Sequence, residues 1–242
     1  MMLATGEFSI GRVFRLLPKV LGQESISLWL SFSALGVALD MLSFVLRHGL
    51  GAGGLGTRAT VAVFSITVSV AACFVHCTAI HAADMRLNGT PVPAVEAFRD
   101  GFCRSWDYLA LALLLGFVLI VGLLLLIVPG LFAGVVFSLA LPALVIRQEG
   151  ISGSMNISWT MTRGRRWRIC GVWLVYGIVS FIVFAGITLL FLAVFYFVGF
   201  GQTAAQTLLL AVLHPVFTGV SLVVGGAVSA TMFRMIEADS AP

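Results

Sequence analysis

Six long stretches of apolar residues dominate this chain and restrict what it can fold into. A helix needs about 20 such residues to cross a bilayer, because each adds about 1.5 Å and the hydrocarbon layer is about 30 Å thick. With 60% hydrophobic and 10% charged residues, a water-soluble core of this size cannot bury the apolar surface. The sequence therefore predicts an all-α fold, a polytopic membrane bundle that forms one domain over residues 1–242. The six predicted spans are residues 25–46, 60–83, 106–128, 131–146, 169–198 and 204–235.

Two short breaks divide the longest apolar runs and arrange the spans as three hairpins. Residues 108–146 are too long for one crossing, and Pro129 and Gly130 are the only punctuation within them. Proline cannot donate a helix hydrogen bond and glycine permits a reversal, so we predict a tight turn there. Residues 200–202 separate the fifth and sixth spans in the same way, although one long kinked helix is the alternative at that point.

The basic residues predict the orientation in the membrane. Of the 14 Lys and Arg residues, only Arg47 and Arg58 would face the outside, and the others would share one side with both termini. Basic residues in short loops stay in the cytoplasm, so both termini are predicted to be cytoplasmic. No apolar signal sequence precedes the first span, which we expect to remain as an uncleaved anchor. The four cysteines would then meet a reducing environment, and we expect no disulfides.

A short amphipathic stretch precedes each predicted hairpin. These stretches are residues 8–21, 91–106 and 151–167. We predict that each forms a helix at the membrane interface, with apolar side chains towards lipid and tryptophans at headgroup depth. Two explanations of the recurrence remain open. It reflects an ancient triplication, or it is the pattern that any protein with three hairpins and basic cytoplasmic loops would show. Four basic residues end the third stretch and are candidate ligands of anionic lipid headgroups, although setting the topology is the simpler role: Arg163, Arg165, Arg166 and Arg168.

The centre of the chain has the features of a known membrane family. Residues 124–177 contain a Val-Pro-Gly turn at 128–130, an apolar span with Pro142 near its end, and a Ser/Thr-rich segment that ends in Arg-Gly-Arg-Arg-Trp at 163–167. This stretch resembles the glycerophosphoryl diester phosphodiesterase membrane-domain family and related uncharacterised six-helix proteins. The resemblance implies a bacterial inner-membrane location. The family's enzymatic name comes from a fused soluble barrel, for which this chain has no room, so we expect no phosphodiesterase activity.

No sequence motif of catalysis is present. The chain contains no HExxH, no GxSxG and no Walker glycine loop, so we expect neither an enzyme nor a bound cofactor, and no nucleic-acid partner. Ionisable residues inside membrane spans are costly and therefore mark candidate functional positions. They are Asp40, His76, His81, Asp84 and His214.

Three hypotheses follow from these polar residues and the basic face. The first is a non-enzymatic protein that organises lipid, a membrane partner or a second copy of itself at the cytoplasmic surface. The second is a small-solute permease, because Asp40 and His214 would lie at similar depth in the outer half and form a polar site or a structural ion pair. The third is metal or haem binding by Cys73, Cys77 and His81, which recur every four residues on one helix face. Small residues that pack the helices are the simpler explanation of that stripe.

Overall fold

A computed structural model describes residues 8–21, 55–90, 94–198 and 213–240, together with residues 26–27, 30–31, 34 and 37–38. Over these ranges the fold is helical and contains no strand, which confirms the predicted class for this part of the chain. The helices are α1 (Ile10–Val20), α2 (Leu55–Leu87), α3 (Ala94–Leu125), α4 (Ile127–Phe137), α5 (Ala140–Arg147), α6 (Ile151–Thr162), α7 (Arg166–Val198) and α8 (His214–Ser240).

Five helical segments within the described ranges are long and apolar enough to cross a membrane. They correspond to the second through sixth predicted spans: Ile66–Leu87, Trp106–Leu125, Val128–Arg147, Arg166–Phe197 and His214–Ser240. Most of the first predicted span, including Asp40, lies outside the described residues.

The chain reverses between α3 and α4, close to the predicted turn. The break is at Leu126, whose backbone is extended with φ −168° and ψ 145°, and α4 begins at the next residue. Pro129 therefore lies in the first turn of α4, where a missing N–H leaves no helix bond unmade. Gly130 does not form the turn. Instead Gly122 and Gly130 let α3 and α4 touch, because a Cβ built on Gly122 would lie only 2.8 Å from the Cα atom of Gly130.

The fourth predicted span is two helices rather than one. Residues 138–139 form a turn between α4 and α5, and Gln148 ends α5 in the left-handed conformation with φ 58°. The short helix α5 is buried along most of its length, and neither Ala140 nor Ala143 has accessible surface. Its small side chains allow α2, α6 and α8 to pack around it.

Two of the three predicted interfacial helices differ from expectation. The stretch at residues 91–106 does not form a separate helix; from Ala94 onward it is the beginning of α3, because nothing in its sequence ends the helix before the apolar span. Helix α1 is separate, but its apolar side faces protein, with Phe8, Val13 and Val20 buried against α7, α8 and α2.

The third amphipathic segment is a separate helix, α6, and its most deeply buried side chains are polar. Its fully buried residues are the small polar ones at four-residue spacing, Ser154, Ser158 and Thr162, while Trp159 is exposed. The Ser158 hydroxyl donates to the Val136 carbonyl at 2.6 Å, and Ser154 and Thr162 donate to carbonyls of their own segment. Small side chains with satisfied hydroxyls let α6 approach α4 more closely than its Ile and Met residues would allow.

The core lies at one end of the bundle, which we call the basal region. It comprises residues 8–21, 75–87, 108–115, 136–172 and 223–240, and it contains nearly all the buried apolar side chains of the described residues. The outer region consists of residues 55–74 of α2, 116–125 of α3, 127–135 of α4, 173–198 of α7 and 214–222 of α8. Many large apolar side chains are exposed there, as in Leu124 at 81% and Phe197 at 85%.

Candidate functional site

A histidine and a tyrosine form a buried polar pair at the upper limit of the basal region. The hydroxyl oxygen of Tyr108 in α3 lies 2.7 Å from Nδ1 of His76 in α2. The two rings meet edge to face. Tyr108 has almost no accessible surface. Because both groups are donors and acceptors, each satisfies the other, and the pair joins α2 to α3 inside the bundle.

Two glycines of α8 bring that helix against the histidine. A Cβ built on Gly226 would lie 2.8 Å from Cβ of Ala79 and 3.2 Å from both Cδ2 of His76 and the backbone nitrogen of Ile80. Gly225 is also buried, and a Cβ there would contact Tyr176 of α7. The glycines therefore allow close approach of α2 and α8, the use that small residues have in membrane helix packing.

Two cavities meet at His76 and Trp173. The larger, about 580 Å³, lies between the α3–α4 hairpin and α7 and is lined mostly by Leu, Val, Ala and Gly. The smaller, about 470 Å³, lies between α7 and α8 and includes His214 in its wall. His76 and Trp173 line both cavities and separate them. A buried polar pair beside two apolar spaces is a candidate ligand site.

An ion-pair network joins three helices in the basal region. Asp84 of α2 accepts from Nε of Arg234 at 2.5 Å and from Nη2 at 3.0 Å. The same guanidinium donates to Glu237 at 2.8 Å, and Glu237 in turn pairs with Arg147 at 2.5 Å. Asp84 is thus a structural carboxylate that joins α2 to α8. Arg234 was not predicted as the partner of Asp84. The predicted topology puts both residues on the same side of the membrane, and this was a signal from which the pair could have been found.

The four arginines predicted to bind headgroups have different surroundings. Arg165 pairs with Asp239 at 2.7 Å, and Arg168 donates to the Phe8 carbonyl at 3.1 Å. Arg163 is exposed. Arg166 differs from the others because its guanidinium carbon lies 4.6 Å from the ring centroid of Phe132 and 5.3 Å from that of Trp159. Among the described residues, Arg165 is thus the member of the four that contacts a carboxylate, and Arg163, Arg166 and Arg168 do not.

The remaining predicted site residues do not assemble into one centre. His81 is half-buried in α2, and the proposed pairing of Asp40 with His214 lies outside the described residues. Cys73 and Cys77 pack with Tyr108 in an apolar cluster. Within the described ranges no three His, Cys, Asp or Glu side chains are grouped to hold a metal ion, so the metal hypothesis gains no support.

The comparisons with known proteins identify a family but no activity. No curated protein and no solved structure matches the chain significantly. Residues 52–236, more than half of the chain and including the second through sixth spans, match the family described as a domain of unknown function, DUF7847. The chain therefore belongs to the DUF7847 family.

Proposed function

We propose that this chain is a non-catalytic membrane protein of the bacterial inner membrane, with six spans and both termini in the cytoplasm, which gathers anionic lipids at its basic inner end. The observation that carries the proposal is the change of surface along the long helices. Exposed apolar side chains of the outer region give way to exposed tryptophans and then to arginines. A membrane protein has this order because its surface meets first the hydrocarbon, then the headgroup layer with its aromatic belt, and then the cytoplasm with its basic loops.

The tryptophans mark the boundary of the proposed membrane. Trp106, Trp159 and Trp167 are 69%, 46% and 90% exposed, and they belong to three different helices at the same end of the bundle. A water-soluble protein would not leave such large rings and the neighbouring leucines uncovered. At headgroup depth the apolar body of each ring meets lipid while its N–H meets water.

The basic surface supports lipid as the ligand. Arg15 and Lys19 of α1 and Arg163 beyond α6 are exposed, and α1 is held at this end because Arg168 donates to the Phe8 carbonyl. Each such charge attracts an anionic leaflet by about 1 kcal/mol near the surface. The arginines that already pair with carboxylates contribute less, since their charge is compensated within the protein.

Lipid enrichment in nanodiscs tests this proposal. Protein reconstituted in mixtures of phosphatidylglycerol and phosphatidylcholine should retain phosphatidylglycerol preferentially at low salt, and the preference should fall as salt screens surface charge. The triple variant Arg15→Gln, Lys19→Gln, Arg163→Gln should lose most of it. Arg58→Gln, near the other end of α2, is the matched control. Equal retention of both lipids by the wild-type protein at low salt would contradict the proposal.

A small-solute permease is the second candidate, and the two cavities around His76 favour it. A permease needs an aqueous path to the site, so cysteines introduced at Thr218 and Ser229, one in each cavity wall, should both react with a small water-soluble thiol reagent. The lipid-organising function predicts that neither reacts, while a cysteine at Arg163 does. The measurement requires a background in which the native cysteines are replaced by serine or alanine.

A further inference from the structure

We propose that the larger cavity holds one acyl chain of an anionic phospholipid, whose headgroup is bound by Arg166. The inference deepens the proposed function and rests on it, because it assigns a stoichiometric lipid site to a protein otherwise surrounded by exchanging lipid.

The cavity has the chemistry of an alkyl-chain site. Its wall is almost wholly apolar, and its volume of about 580 Å³ is within the range of ligand pockets. Along α3 it extends from Ala112 to Leu123, roughly 16 Å at 1.5 Å per residue, which is about the thickness of one leaflet's hydrocarbon. A single lipid tail therefore matches the length of the space.

The polar atoms in the wall are mostly occupied, which argues against a polar solute. The hydroxyl groups of Ser138 and Ser229 donate to carbonyls of their own helices at 2.8 Å and 2.9 Å. Nδ1 of His76 is engaged by Tyr108. A polar ligand or a water cluster needs several free partners, and these side chains offer few.

Arg166 lies next to this cavity and carries a positive charge with no carboxylate partner among the described residues. It precedes Cys170, Trp173 and Leu174, which line the cavity, on the same face of α7. Its guanidinium stacks on Phe132, whose two sequence neighbours also line the cavity. The Nε atom is buried and donates to no acceptor among the described residues. A phosphate oxygen would supply both the missing acceptor and the missing negative charge.

A second buried donor lies deeper on the same helix face. The indole nitrogen of Trp173 is buried, and no acceptor for it lies within the described part of the chain. Unsatisfied buried N–H groups are uncommon and costly, and two on one face of α7 indicate an acceptor-bearing ligand. In a phospholipid the ester oxygens lie between the phosphate and the tails, which is the order that Arg166, Trp173 and the apolar groove present.

Filling the groove provides the first test. Gly116 lines the cavity, and a Cβ built there meets no atom within 4 Å, so Gly116→Leu should occupy the tail site without straining the bundle. Gly177→Leu is the matched control, because Gly177 also has open space around it but does not line the cavity. Native mass spectrometry of protein from mild detergent should show one phosphatidylglycerol on the wild type and on the control. Gly116→Leu should reduce that occupancy at least tenfold.

Removing the charge provides the second test. Arg166→Gln should weaken phosphatidylglycerol binding at least tenfold, the effect of losing a charge-assisted hydrogen bond, while Arg166→Lys retains part of it. Arg58→Gln, near the other end of α2, should leave this binding unchanged. Melting temperatures of all variants show that the fold is retained.

The two tests also separate this inference from the proposed function. A Gly116→Leu protein that binds phosphatidylglycerol like the wild type would overturn the groove site, even if anionic lipids remain enriched in nanodiscs. Equal binding of phosphatidylcholine, or tighter binding of oleate than of phosphatidylglycerol, would overturn the assignment of the headgroup. Loss of nanodisc enrichment alone, with the single bound lipid retained at high salt, would count against the proposed function and leave the groove site standing.

Discussion

The basal and outer regions are built from the same helices and have opposite surroundings. In α7, Ile169 and Val172 have no accessible surface, whereas Phe181 and Phe197, farther along the helix, are 71% and 85% exposed. In α3, Leu111 is fully buried and Leu124 is exposed. Side chains of the same chemistry are thus covered by protein at one end of the bundle and left for lipid at the other, in the membrane setting proposed above.

Glycine and charge explain the close packing of the basal region. Gly226 lets α8 touch α2, and the network of Asp84, Arg234, Glu237 and Arg147 joins α2, α5 and α8 there. In the outer region the α3–α4 hairpin also packs closely, but other glycines, such as Gly186, have nothing near them. Stability should therefore depend on basal residues, while outer residues serve the contact with lipid.

Breaking the ion-pair network should have the largest effect. Arg234→Met leaves Asp84 and Glu237 without their shared cation, and removing one partner of a largely buried pair costs about 4 kcal/mol. Melting in detergent, compared with Arg163→Met as the control, measures the loss. The double variant Arg234→Met, Asp84→Leu should lose less than the two single variants together, and strict additivity would show that the pair contributes no coupling.

Two leucines of one helix test the comparison directly. Leu111→Ala, in the basal part of α3, should lower the free energy of unfolding by about 3 kcal/mol because it leaves a cavity. Leu124→Ala, in the outer part of the same helix, should change it by less than about 0.5 kcal/mol. Similar losses at both positions would mean that the outer region is covered by protein after all.

Two glycines form a third matched pair with a smaller expected effect. Gly226→Ala places a methyl group 2.8 Å from Cβ of Ala79 and should destabilise the protein by about 2 kcal/mol through overpacking of α2 against α8. Gly186→Ala meets no atom and should be neutral or raise stability by up to about 1 kcal/mol, since alanine favours helix. The contrast is measured from melting curves of both variants under one condition.

The smallest expected effect concerns the polar pair at the border of the two regions. Tyr108→Phe retains the ring but removes the hydroxyl that contacts His76, and it should cost about 1.5 kcal/mol by leaving a buried imidazole nitrogen without its partner. His76→Phe in the same background should cost little more, because both polar groups are then absent. A loss in the double variant that equals or exceeds the sum of the losses in the two single variants would show that the pair does not act as a unit.

Helix positions were largely predictable because apolar length and local breakers act over a few residues. The segments from residue 66 to 87 and from 106 to 125 follow the predicted spans, and the reversal beside Pro129 lies within a few residues of its predicted place. The residue at which the chain breaks, Leu126, and the division into α4 and α5 were not predicted, since both depend on how helices pack rather than on where hydrophobicity is interrupted.

Side-chain partners were much less predictable. Serines at 154 and 158 look solvent-facing in the sequence, yet the structure buries them because small hydroxyl residues fit the close approach of α6 to α4. His76 was singled out as a polar residue, but its partner Tyr108 follows 32 residues later on another helix. Neither contact leaves a periodic signal along the chain.

By itself, the sequence determined that the described part of this chain is helical and where its long apolar segments lie, because hydrophobic length is a property of short segments. Only the tertiary structure decided which face of each helix is buried, that Arg234 neutralises Asp84, and that a cavity lies beside Arg166. Those features arise where residues distant in the chain approach within a few ångströms. That approach is set by the shapes of packed helices, which no single segment contains.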